Sequence, residues 1–116
     1  MPLKSNAKNK PRLPRKIKIL GQVWRVLYVK DLRVSSDEDD DSDDERVSGL
    51  SDGNRRTISI CTTSNRTPAE VHSTLIHEIL HSIIFVSGQR NLLTPAQEEA
   101  LVVALEHGLA PVLSLL

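Results

Sequence analysis

The stretch VHSTLIHEILHSIIFVSGQ, Val71 to Gln89, decides how this 116-residue chain folds. Its only formally charged side chain is Glu78, set among Leu75, Ile76, Ile79, Leu80, Ile83, Ile84, Phe85 and Val86. Those apolar residues cover most of a helix circumference, so the helix is expected to be buried nearly all round. A lone carboxylate in such a helix is costly unless it is protonated, paired or close to a metal. The start is marked by Thr67-Pro68-Ala69-Glu70, with Thr as N-cap, Pro in the first turn and Glu at the capping-box position. The same arrangement recurs at Thr94-Pro95-Ala96-Gln97. Two helices follow: one from Pro68 to about Val86, ending at Ser87-Gly88, and one from Pro95 to about His107, continuing at most to Pro111.

Inside the first helix, His77-Glu78-Ile79-Leu80-His81 places two histidines four residues apart. Residues at that spacing stack on one helix face, so both imidazoles can aim at one point, as two ligands of a tetrahedral zinc do. Glu78 projects beside them and is the candidate general base for a water on such a metal. The plainer reading is a pair of core histidines bonded to backbone, with Glu78 on an exposed stripe. The isolation of Glu78 among apolar residues argues against it.

Two histidines do not hold a catalytic zinc alone. The second helix offers Glu98 and Glu99, 17 and 18 residues after His81. Helical periodicity puts Glu98 nearest an apolar stripe of Val102, Leu105 and Leu109, with Glu99 on the flank beside Val103. Either acid also reads as an N-terminal-turn glutamate favoured by the helix dipole. Cys61 reads as a small apolar strand residue rather than a ligand. His72 lies about 140° round the helix from His77, off the metal-facing side. His107 is a candidate hydrogen-bond donor to a developing oxyanion, against a plainer role as a helix C-terminal histidine.

Upstream, Ile17–Leu20 and Val23–Val29 are two β-rich runs around Gly21-Gln22 and read as a hairpin. Thr57-Ile58-Ser59-Ile60-Cys61-Thr62 reads as a third strand pairing with it. Residues 1–15, with Pro2, Pro11 and Pro14 and many lysines, read as a flexible basic tail. The fifteen basic and fifteen acidic residues of the chain balance only on average. Seven basic residues fall in the first 18 positions, and eight acids crowd Asp37 to Glu45. That run predicts an exposed, disordered acidic loop over about 34–52. It lacks the spacing and glycine of a calcium-binding loop.

One cysteine excludes a disulfide framework and a multi-cysteine zinc site. No apolar run reaches the ~20 residues of a membrane helix, and no apolar segment follows the basic N-terminus as in a secretory signal. A cytoplasmic monomer is expected, with no membrane partner. Three aromatics are too few for a base-stacking platform. Nucleic-acid contact through the basic tail is therefore the less favoured reading.

The segment Ser73 to Ile83, with Thr74 before the histidines and no charge or proline inside the motif, resembles the extended consensus of zinc peptidases. It is similar to a group of small phage and prophage-encoded zinc metallopeptidases related to the ImmA/IrrE and SprT-like minimal zincins. The likeness extends to Ile17–Val26, Gly49-Leu50-Ser51-Asp52, Thr57–Ile60, Glu98–Val102 and Leu105–Leu109, most of the chain from about residue 16. The resemblance implies an α+β minimal zincin-like domain over 16–116, its small sheet packed on the HExxH helix and a second helix behind. It also implies one Zn²⁺ ion, a protein or peptide substrate, and a third ligand placed before an L-x-x-G-L helix. Counted back from Gly108, that ligand is Glu99, with Glu98 the alternate. The acidic run departs from the family. The rival expectations are a non-catalytic zinc-stabilised interaction module and, with only the basic tail in support, a metal-dependent nuclease.

Overall fold

A computed structural model of the chain describes residues 13–35 and 44–113. In order, its elements are β1 (Lys16–Ile19), β2 (Gln22–Val29), β3 (Arg33–Ser35), β4 (Asp44–Arg46), β5 (Gly49–Asp52), β6 (Thr57–Cys61), α1 (Pro68–Val86), a 3-10 turn at Gln89–Leu92, and α2 (Pro95–Leu113). The result is a small mixed α+β domain: a four-stranded sheet in the order β1-β2-β6-β5, with helices against one face, and a separate β3-β4 hairpin.

The expected hairpin forms, with Lys16 opposite Arg25 and Ile19 opposite Gln22. Its turn, Leu20-Gly21, holds φ of 47° and 84°, the doubly left-handed conformation that matches strand twist in a two-residue connection. The third strand pairs with β2 as expected, and the pairing is parallel, Arg25 opposite Thr57 through Val29 opposite Cys61. Alternation then sends Trp24 and Val26 inward while Val23, Arg25 and Leu27 face solvent.

The acidic loop expected over 34–52 is corrected where the chain is described. Asp44–Arg46 pairs with Arg33–Ser35, and exposed Asp31 lies 3.1 Å from Arg33 and 3.6 Å from Arg46, offsetting their proximity. Gly49–Asp52 is a fourth sheet strand, antiparallel to β6 at the edge. Asp52 Oδ1 accepts the backbone N–H groups of Asn54 and Arg55, which shapes the turn back into β6. Residues 36–43, which carry most of the acidic run, lie outside the described residues, as do residues 1–12 of the expected tail. Pro14 and Arg15 do not behave as tail: Tyr28 Oη donates to Pro14 O at 2.7 Å, and Val26 N to Arg15 O at 2.8 Å.

Both capping boxes close. Glu70 N donates to Thr67 Oγ1 and Thr67 N to Glu70 Oε1; Thr94 and Gln97 repeat the exchange. Helix α1 has the expected bounds and buries two faces. Val71 and Leu75 join Ile19, Trp24, Val26, Ile58 and Ile60 under the sheet. Ile76, Leu80 and Ile84 pack with Val102 of α2. Helix α2 runs through Pro111 to Leu113; a proline this late removes one hydrogen bond from a turn that has few left to lose. The expected apolar stripe of α2 is only partly the buried one. Glu98 and Val102 face inward, whereas Leu105 and Leu109 are exposed. No helix among the described residues is long and apolar enough to cross a membrane.

Candidate metal centre

His77 and His81 sit one turn apart on α1, and the first turns of α2 cross in front of them. Glu99 Oε1 lies 3.4 Å from His77 Nε2 and 2.9 Å from His81 Nε2. Three donor atoms, one from each residue, lie within 4.8 Å of one another. A tetrahedral zinc with Zn–N bonds of about 2.0–2.1 Å needs its ligand atoms about 3.3 Å apart. The His77–Glu99 separation already meets that, and His81 needs to withdraw by a few tenths of an ångström. Both Glu99 separations thus lie within a few tenths of an ångström of that edge, and the two histidine donors are within 4.8 Å of each other.

The far side of each ring is held separately. His77 Nδ1 lies 2.8 Å from Glu106 Oε1, and His81 Nδ1 lies 2.6 Å from Glu98 Oε2. An ionised carboxylate only accepts, so each Nδ1 is the donor and each Nε2 is the nitrogen turned to the shared point. A carboxylate behind a ligating histidine fixes its tautomer and ring orientation. Glu98, the expected alternate third ligand, lies behind His81 at Nδ1, and Glu99 lies on the Nε2 side of both rings. The one-residue difference is a 100° rotation on the helix.

These carboxylates are themselves held. Ser73 Oγ donates to Glu106 Oε2. Arg90, on the 3-10 turn between the helices, donates from Nε to Glu98 Oε1 and from Nη2 to Glu98 Oε2, both at 3.1 Å. Burial pushes both carboxyls up, but the hydrogen bonds and charges of Arg90 and His81 on Glu98, and of Ser73 and His77 on Glu106, outweigh it. Both stay below the usual carboxylate range. For His77, burial pushes the imidazole pKa down, yet the Glu106 hydrogen bond and the charges of Glu78, Glu99 and Glu106 carry it above its ordinary value.

Glu78 is buried at 8% exposure. Desolvation raises its pKa against the opposing pull of His77 and His81, with Glu99 and Glu106 adding to the rise. It packs against Gly49 of the edge strand: a Cβ there would meet Thr74 Cγ2 at 2.7 Å and Glu78 Cγ at 2.9 Å. Two links hold this approach. Ser82 Oγ donates to Glu78 O, and Ser51 Oγ lies 2.7 Å from Ser82 Oγ. Asn65 receives Thr74 Oγ1 and donates to Ser48 O and Cys61 O, tying helix, strand end and edge-strand approach together.

His77, His81 and Glu99 line a cleft of about 620 Å³, together with Gly49, Leu50, Glu78, Arg90 and Leu93 among others. A smaller one of about 270 Å³, lined by Ser48, Ser73, Thr74 and Glu106, shares Gly49, His77 and Glu78 with it. His107 lines neither cleft. It is exposed, one residue past Glu106 and so rotated off the metal-facing side. His72 is exposed as well. Cys61 is fully buried at the end of β6, donating to Lys30 O, and hydrogen bonds with Ser64 and Thr63 lower its thiol pKa to about 7.

Sequence reasoning did not assign Glu106, Ser73, Arg90 or Gly49. Glu106 had a readable signal, since it follows Glu99 by seven residues, two helical turns along one face. The others are defined only by tertiary contacts. Comparison with protein-family models, curated proteins and solved structures finds no match to this chain.

Proposed function

We propose that this chain is a zinc-dependent metallopeptidase with a minimal zincin-like fold, as its resemblance to small phage-encoded zinc peptidases implies. The observation that carries the reading is the convergence of His77 Nε2, His81 Nε2 and Glu99 Oε1 on one point, with a carboxylate behind each imidazole. His77, His81 and Glu99 would hold one Zn²⁺ ion. When bound, zinc lowers the pKa of a water and polarises a carbonyl. Glu78 accepts the proton of the attacking water and passes it to the leaving nitrogen, as its raised pKa and open position in the cleft suit it to do. Its carboxylate makes no hydrogen bond with another described residue, so its lone pairs are free for that water.

One observation favours a second reading, a zinc-stabilised interaction module without turnover. Among the described residues lining the cleft, the only Lys or Arg side chain is Arg90, and it is bound to Glu98. Among those described lining residues, none offers a free cationic donor for an oxyanion. Metal analysis of the wild type and of His77→Ala tests both zinc readings: one zinc per chain, lost in the variant, is expected. Cleavage of a peptide library by the zinc-loaded protein, abolished by chelator, then supports the peptidase. Stoichiometric zinc with no cleavage supports the module.

A further inference from the structure

The two histidines are braced in different ways. Behind His77, Glu106 is held by a neutral hydroxyl, that of Ser73. Behind His81, Glu98 is held by a guanidinium through two parallel hydrogen bonds, the fork-to-fork geometry that fixes a carboxylate in plane and position. The guanidinium is fixed in turn, its carbon 5.0 Å from the centroid of the Phe85 ring. Phe85 belongs to the last turn of α1, and Arg90 to the 3-10 turn entered through Gly88 at φ 81°. Glu98 is buried at 7% exposure.

We infer that Arg90 is a positioning residue of the metal centre: seated on Phe85, it locks Glu98 so that His81 presents Nε2 to the ion. This rests on the zinc reading above. The connection between the helices thereby sets the geometry of one ligand, although Arg90 itself stays clear of the ion. Lysine cannot reproduce the fork and supplies a single point of charge.

The test is zinc affinity by chelator competition on wild type, Arg90→Gln, Arg90→Lys, Glu98→Gln and the double variant Arg90→Gln/Glu98→Gln, with visible spectra of the cobalt(II)-loaded forms. Arg90→Gln is expected to weaken zinc about 10–100-fold, the usual consequence of losing an outer support. Arg90→Lys should recover part of that loss. On the Glu98→Gln background, Arg90→Gln should add nothing, because both changes break one chain of contacts. The cobalt bands should shift in Arg90→Gln and move back toward wild type in Arg90→Lys. Wild-type affinity and an unchanged cobalt spectrum in a folded Arg90→Gln would overturn the inference, as would additive losses in the double variant. If Arg90→Gln does not fold, Arg90→Lys against Glu98→Gln decides, with equal and wild-type affinities overturning it. A wild type that binds no zinc overturns the metal reading too, and is told apart by its zero stoichiometry.

Discussion

Glu106 Oε1 lies 2.8 Å from His77 Nδ1, although 29 residues separate them in the chain. The contact joins the fourth turn of α2 to the middle of α1 and turns the His77 ring so that Nε2 faces Glu99. Removing its acceptor strength without its shape is the direct test. Glu106→Gln should lower zinc affinity about 10–100-fold, read by chelator competition, with helix content by circular dichroism unchanged.

Glu78→Gln keeps the shape of the buried side chain and removes its basicity. Zinc content should stay at one per chain while turnover falls by about 10²–10⁴-fold, the range for losing a general base. Full peptidase activity in this variant would refute the assigned role.

Chelation should destabilise the protein. Zinc held at about 100 times its dissociation constant contributes about 2.7 kcal/mol to the native state, which for a domain of this size is of order 10 °C in Tm. Thermal scans with and without chelator measure the shift, and His77→Ala should show none.

Gly49 keeps the edge strand against Glu78. Gly49→Ala forces a methyl group into Thr74 and the Glu78 side chain and should cost about 1–3 kcal/mol as overpacking. Because the displaced group is Glu78 and not a ligand, turnover should fall more than zinc affinity. Denaturant titration and the two functional measurements separate these effects.

The cap of α1 supplies a pH dependence. The backbone N–H groups of Thr67 and Arg66 hold Glu70 below the usual carboxylate range. A depressed folded pKa means that its contribution is complete above the unfolded value of about 4.3 and fades as pH falls through the folded one. Thr67→Ala should cost about 0.5–2 kcal/mol at neutral pH, followed by far-ultraviolet circular dichroism during unfolding.

Much of this was legible in the residues themselves. Both helices announced their starts by side chains that act within four positions, and the histidine spacing needs only helical geometry. The β1-β2 hairpin was legible from local alternation. Strand β5 was not: Gly-Leu-Ser-Asp has neither the β-branched residues nor the alternation of a strand, and it is a strand because β6 offers an open edge. Charge density over 34–52 predicted no structure, yet Arg33 and Arg46 with Asp31 between them sustain a short hairpin. Between Glu98 and Glu99, the apolar stripe points to the residue facing inward, Glu98, which meets His81 Nδ1, whereas Glu99 lies near both Nε2 atoms. Facing the core and facing the cleft between the two Nε2 atoms are different directions, and only the packed pair of helices distinguishes them.

The parallel pairing of β2 with β6 joins residues 25–29 to 57–61, so the centre of the sheet cannot close until the intervening chain has looped back. The three residues proposed as ligands lie on one helical hairpin, with His81 and Glu99 18 residues apart and His77 and Glu99 22 apart, against 32 for the β2–β6 pairing. Contacts between the proposed ligands are therefore nearer in sequence than the ladder, and nearer contacts form faster. The topology therefore predicts a kinetic order in which metal capture precedes completion of the sheet. Gly49, which walls in Glu78, arrives with the sheet. A chain partway through folding would hold its metal before its general base is enclosed, so that reactivity is the last property to mature.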